Sequence, residues 1–449
     1  MKKVLIIAYY FPPLGMGGVQ RILKFCKYLP EFGWKPIVLT VEKIGYFAED
    51  PTLLEEVRGK TEIYRTIDPL GFFPRSNSPF LSPFTKGGRG ISSWFLFPDS
   101  KIGWLPFAFS KGLKITEMEG VDLLFSSAPP YTSLLVGILL KKRTGLPLVL
   151  DFRDPWFESF FFKPPTLFHR KSHEILERRV LASADWIVSV NEPVRELFLK
   201  KIPQTLKERV SVIPHGYDAE DFDLIHQSQV QAPNHEIASS PSPRLGYGGF
   251  AMTDEETNLS SPFTIVHVGA LNEWARPDPL LLAVHDLLQE KKIKGSDLKV
   301  VFVGHSSERD WNLSEGLGLE GCVQFVPYEP HRKSLESLLQ ADLLWLTITG
   351  ESKGGEEFRS PGKLYEYLGS RKPIIASVPL EGIAARMITE MEAGIAVEPQ
   401  DVEGLKRAIL DFFLKKRRGE LRDIPLERVQ VYERKRLAER LSKIFDEVV

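Results

Sequence analysis

The chain has 449 residues, 43% hydrophobic and 26% charged, with a formal net charge of -1. That length exceeds one ordinary hydrophobic core and fits two domains of roughly 200 residues each. The near-neutral balance excludes nucleic acid bound by bulk surface charge. Two cysteines, Cys26 and Cys322, are too few for a disulfide framework or a cysteine metal cluster.

The opening run MKKVLIIAYY meets Pro12-Pro13 before any small-residue cleavage site, so it reads as a buried first strand rather than a secretion signal. Val4 to Ala8 is that strand, followed by Val19, Ile22, Leu23, Cys26 and Leu29 at helical spacing. Strands are predicted at Pro36 to Thr40, Val121 to Ser126, Pro147 to Phe152, Trp186 to Val190 and Val210 to Ile213. Helices fall at Thr132 to Arg143, His173 to Ala182 and Pro193 to Lys200. From about His226 to Pro262 the pattern gives way to Ser, Pro, Gly and Gln, the composition of a linker or insertion.

Alternation resumes with strands at Phe263 to Val268, Leu298 to Val303, Val323 to Val326, Leu343 to Thr347, Pro373 to Ala376 and Gly394 to Val397. Helices are expected at Pro279 to Glu290, Lys333 to Leu339, Lys363 to Gly369 and Val402 to Lys415, with a charged helical tail from Leu426. The expected fold is α/β: two Rossmann-like doubly wound parallel sheets facing across a cleft. The expected divisions are 1–225, 226–262, 263–425 and 426–449. No run reaches the roughly 18 to 20 apolar residues of a membrane span, so a soluble or peripheral protein is expected, in the cytoplasm or on the inner face of its membrane.

Ligand-binding candidates lie at the carboxyl ends of strands, where open sheets hold their ligands. After the first strand, Gly15, Gly17 and Gly18 let the backbone approach a ligand, and the helix start near Val19 offers free amides. The same glycines also suit tight packing alone. Neither GxGxxG spacing nor a Walker lysine is present. Asp151, Arg153 and Asp154 end another strand: either carboxylate suits an acceptor hydroxyl, and Arg153 suits a carboxylate or phosphate. An Asp-Arg pair that merely fixes the loop is the alternative.

In the second half Gly269, Arg276 and His305 follow strands, and Ser360-Pro361-Gly362-Lys363-Leu364 opens a helix. Ser360 reads as N-cap and Pro361 as the first helical residue, with amides placed for a diphosphate. Arg276 and Lys363 supply positive charge for a leaving nucleotide, and Glu366 two oxygens for a ribose. A solvated Lys363–Glu366 pair at i, i+3 is the plainer reading.

FPPLGMGGVQR, the DxRDPW turn, VIPHGYD and PGKLYEYLGSRKPIIAS, in this order, resemble the family-four-like retaining glycosyltransferases over nearly the whole chain. The segment from Pro98 to Ala108 resembles bacterial polysaccharide and cell-surface glycan enzymes. The resemblance implies a GT-B fold, a nucleotide-sugar donor in the second domain and a glycan or lipid-linked acceptor in the first. It also implies retention of configuration, with no metal or other cofactor. Glu366 matches the second of the family's paired glutamates, while Phe358 stands at the first and Glu357 is its nearest carboxylate. Ala270 takes a usual arginine position, Arg276 that of a lysine, and His215 that of an asparagine. A degenerate scaffold and a nucleotide-sugar epimerase are the rival readings. Aromatics at Trp94 to Phe97, Trp104 to Phe109 and Trp156 to Phe162 suit either peripheral membrane contact or packing.

Overall fold

Alternating buried strands and amphipathic helices build two parallel sheets in the computed structural model, which describes residues 1–15, 17–42, 44, 49–71, 96–158, 164–230, 261–348 and 355–449. The first lobe runs β1 (Lys2–Ile7), α1 (Gly17–Tyr28), β2 (Trp34–Val41), β3 (Glu62–Thr66), α2 (Leu105–Glu119), β4 (Leu123–Ala128), α3 (Thr132–Thr144) and β5 (Leu148–Phe152). It continues with α4 (Leu167–Ala182), β6 (Trp186–Ser189), α5 (Glu192–Leu199) and β7 (Val210–Val212), and α6 (Ala219–Val230) follows. Its sheet order is β3-β2-β1-β4-β5-β6-β7.

The second lobe runs β8 (Phe263–Val268), α7 (Asp278–Gln289), β9 (Leu298–Val303), α8 (Glu308–Gly316), β10 (Val323–Val326), α9 (His331–Leu339) and β11 (Leu343–Thr347). Then come α10 (Gly362–Ser370), β12 (Ile374–Ser377), α11 (Ile383–Glu390), β13 (Gly394–Val397) and α12 (Val402–Arg417). Its order is β10-β9-β8-β11-β12-β13. The chain ends with α13 (Leu426–Val429) and α14 (Arg434–Val448). Each sheet reverses its winding once, between β1 and β4 and between β8 and β11, and the crevice of an open sheet lies at such a reversal.

The chain crosses between lobes twice, and the crossings are paired. Tyr217 N donates to Tyr432 O at 3.1 Å and Arg434 N to Tyr217 O at 2.8 Å. A side chain at Gly216 would collide with the Tyr432 carbonyl, so only glycine lets these strands touch. Beyond the crossing, Tyr217, Phe222 and Ile225 pack in the second lobe's core rather than the first. Helix α6 also carries regular structure through Val230, into the segment expected as linker, and 231–260 lie outside the described residues. The final helix returns to the first lobe, where Leu437, Leu441 and Phe445 join the core and Phe445 meets Trp34 at 5.2 Å.

Besides α6, four elements escape periodicity. β3 alternates weakly as an edge strand, and α8 and α11 are little more than two turns long. Helix α2 buries only Ala108, Gly112, Ile115 and Thr116, a stripe of mostly small residues that lets Leu140 pack against Gly112. Such a stripe carries little hydrophobic signal. Trp104 and Trp156 are fully buried, Trp104 edge-on to Tyr9 and Trp156 stacked on Tyr131 at 4.1 Å, so these two rings serve packing. Trp94, Phe95 and 159–162 lie outside the described residues. Among the described residues no helix is long and apolar enough to cross a membrane.

Candidate active site

The carboxyl edges of both sheets face one cleft of 1690 Å³, lined from the first lobe by Gly17, Gly18, Gln20, Arg153, Asp154 and His215. The second lobe contributes Gly269, His305, Ser360, Gly362, Lys363 and Glu366. A pocket for one small ligand spans roughly 300–1,000 Å³, so this cleft has room for more than one such ligand. Both winding reversals open into it, through the glycine loop after β1 and through Gly269 after β8.

In the first lobe most charged candidates hold the backbone. Arg21, which sequence reading passed over, donates to both oxygens of Asp151, the closest contact being 2.7 Å, and to the carbonyls of Ile213 and Pro214. Ser127 Oγ donates to the same carboxylate at 2.7 Å. Asp151 is fully buried and absent from the cleft wall, so it is a fastener between β5 and the interlobe crossing rather than an acceptor contact. Arg153 is used similarly. Its guanidinium donates to the carbonyls of Gly18, Pro129 and Ala128, clamping the glycine loop to the end of β4. Gly15 lies buried beneath that loop and does not reach the cleft.

Asp154 differs from its neighbours: it lines the cleft with no side-chain hydrogen bond among the described residues. Gln20 is 2% exposed at the same wall, and its Oε1 accepts no hydrogen bond among the described residues. A buried amide oxygen left unmatched is costly unless a ligand satisfies it. Sequence offered no signal for Gln20, because it shares a helix face with Lys24 and Lys27 and reads there as an ordinary solvated polar residue.

In the second lobe α10 begins at Gly362, with Pro361 as N-cap and no side-chain capping bond. Ser360 is therefore not the cap; its hydroxyl accepts from Asn191 Nδ2 of the first lobe at 3.1 Å. Asn191 also donates to Phe358 O at 2.8 Å and caps α5 through Val194 N, a cross-lobe tie that sequence reading missed. Gly362 and Lys363 line the cleft at this uncapped, positive end of the helix dipole.

Lys363 lies against Gly269, where a Cβ would stand 2.5 Å from Nζ; the glycine leaves the space the lysine needs. Gly269 also has φ of 140°, a conformation open to glycine. His267 Nδ1 bonds the Trp345 carbonyl at 2.9 Å, so its proton is there and Nε2 is left to accept from Lys363 at 3.4 Å. Glu366 pairs with His331 Nε2 at 3.0 Å, not with Lys363 one turn away. Leu364 is core. Glu357 does not line the cleft and accepts from Gly355 N at 2.8 Å, while Phe358 occupies the wall. Arg276 pairs with Asp278 at 3.0 Å, outside the cleft-lining set.

Residues 16–221 match the Glycosyltransferase Family 4 model and 252–428 match the model of Glycosyl transferases group 1. The chain is a family-four-like glycosyltransferase of the GT-B fold. Among solved structures it is similar to a sucrose-phosphate synthase from Thermosynechococcus elongatus, at 16% identity and TM-score 0.65, covering 100% of this chain and 99% of the other. It is also similar to HepE from Anabaena, in complex with UDP and glucose, at 13% identity and TM-score 0.60 over 100% of both chains. An α,α-trehalose 6-phosphate synthase from Burkholderia multivorans gives 14% identity and TM-score 0.61 over 100% and 99%. No curated protein matches in sequence.

Burial gives this glycosyltransferase two groups that titrate near neutrality. Loss of solvent raises the Asp154 carboxyl to about 6, against the pull of Arg153 and Arg359. Loss of solvent, reinforced by Arg359, lowers Lys363 to about 8. His215 is held neutral by burial and by Arg21, Arg434 and Arg153. Among the described residues one carboxylate trio, Glu56, Asp218 and Asp221, has metal-like spacing. The Lys24 ammonium lies 2.6 to 2.7 Å from all three and stands where a cation would.

Proposed function

We propose that the protein transfers a sugar, with retention and without a metal, from a nucleoside-diphosphate donor held by the second lobe to a glycan or lipid-linked hydroxyl on the first. The observation that carries this reading is the uncapped start of α10, with Lys363 and Glu366, in one cleft with Asp154 and the glycine loop. The UDP and glucose bound by HepE agree with a donor of this class. The diphosphate lies on the Gly362 and Lys363 amides and the Lys363 ammonium, and Glu366 accepts the ribose hydroxyls.

Asp154 and the Gln20 amide oxygen accept from the acceptor, aligning one hydroxyl with the anomeric carbon. The bond from that carbon to the diphosphate breaks and the new glycosidic bond forms on the same face. The acceptor proton passes to the departing phosphate oxygen, so no protein base is required. Leu167 and Phe168, 82% and 76% exposed beside Arg170 and Lys171, support docking on an anionic membrane. Sedimentation with anionic and neutral vesicles tests that contact, and equal absence from both pellets contradicts it.

A screen of UDP-, GDP-, ADP-, CDP- and dTDP-sugars for thermal stabilisation tests the donor reading, since a true donor raises the melting temperature by mass action. Proton NMR of the product then gives its anomeric configuration and separates transfer from epimerisation. No stabilisation by any donor would favour a non-catalytic binding subunit.

A further inference from the structure

His331 touches both lobes through different atoms. Its backbone N, at the start of α9, donates to Asp50 Oδ2 of the first lobe at 3.0 Å. Its ring Nε2 meets Glu366 Oε1 at 3.0 Å. Asp50 is itself buried and held, its Oδ1 accepting from Thr52 N at 3.1 Å and Thr52 Oγ1 at 2.5 Å. Helix α9 follows Pro330 and has no side-chain cap of its own, so a carboxylate 281 residues away supplies it. Behind the ring, Asp221 on α6 stands 3.9 Å from Nδ1 and pairs with Lys24 on α1 at 2.7 Å.

We propose that His331 is a positioning residue of the donor site: it aims the Glu366 carboxylate at the nucleotide ribose and makes that aim depend on the interlobe contact with Asp50. The proposal rests on Glu366 being the ribose contact. A carboxylate receiving two neighbouring hydroxyls needs both oxygens turned toward the cleft, and one anchored oxygen fixes that turn. Lys363 is engaged with His267; Arg434 adds its charge nearby, and among the described residues the side-chain hydrogen bond to Glu366 comes from His331. Burial opposes charge on both partners, yet their attraction raises the His331 imidazole and lowers the Glu366 carboxyl, so the carboxylate stays ionised for hydroxyl donors.

The test uses the full chain and calorimetry with UDP, GDP, ADP and CDP, each beside its 2′,3′-dideoxy form. Wild type prefers the ribose form of its tightest ligand, and Glu366→Gln abolishes that preference. His331→Ala weakens the ribose form by roughly tenfold, the scale of one charge-assisted hydrogen bond, and leaves the 2′,3′-dideoxy form unchanged. His331→Gln, which keeps a donor, restores most of the loss. In turnover, His331→Ala raises donor KM while kcat stays within about twofold. Asp50→Ala weakens donor binding in wild type and adds nothing in the His331→Ala background.

If Glu366→Gln keeps the ribose preference, or no diphosphate binds wild type, the donor reading fails and this proposal with it. If Glu366→Gln loses the preference but His331→Ala binds both forms like wild type, or weakens both alike, the positioning role alone is overturned.

Discussion

The two lobes both place charged residues around the carboxyl edge of their sheet and use them differently. In the first, Arg21, Asp151 and Arg153 are consumed by each other's neighbourhood: one buried ion pair and a set of carbonyl clamps that hold a glycine loop in place. In the second, Lys363 and Glu366 are each steadied by one histidine while both still face the cleft. Charge at a strand end is therefore not by itself a site. What separates scaffold from chemistry is whether the group's hydrogen-bonding capacity is already filled.

That contrast is open to direct attack, and the largest effect should be one of stability. Asp151→Ala leaves Arg21 buried without its partner and should cost about 3–5 kcal/mol in urea unfolding. A stable but inactive variant would break the distinction. Lys363→Ala should do the reverse, lowering kcat/KM roughly 10²–10³-fold, as for a lost electrostatic stabiliser, with little change in melting temperature.

Asp154→Asn should lower kcat/KM about tenfold to a hundredfold, the scale of a hydrogen bond to a charged group. With its carboxyl raised to about 6, activity in wild type should fall as pH drops through that value, and the variant should lose this acid limb. Lys363, lowered to about 8, is cationic below that value, so the alkaline limb should fall as pH rises through it. Lys363→Arg should move that limb upward. A wild-type profile flat from pH 5 to 9 would contradict both assignments.

Gly269→Ala should raise donor KM by roughly tenfold, because the new methyl displaces the Lys363 tip and strains a backbone at φ of 140°. The smallest change is expected at Arg276→Ala, under about threefold in kcat/KM, since a partly exposed ion pair is worth about 0–1 kcal/mol. A loss equal to that of Lys363→Ala would restore Arg276 to the diphosphate site.

The fold was legible because parallel sheets bury their strands on both faces, leaving apolar runs that punctuate the chain. Helix α10 and its Lys363 and Glu366 were legible too, since proline, glycine, lysine and glutamate stand close together there. Partners were not. That Asp151 belongs to Arg21, 130 residues away, or Glu366 to His331, follows from tertiary packing that no local spacing encodes. The cap on α10 misled for a related reason: Ser360 has the right chemistry for an N-cap, but Asn191 from the other lobe claims its hydroxyl.

The most direct measurement is calorimetric titration of the best nucleotide sugar into wild type and Lys363→Ala, with equal melting temperatures established beforehand. Wild type should bind and the variant should weaken by tenfold or more. Equal affinity in the two would mean that the diphosphate is gripped elsewhere.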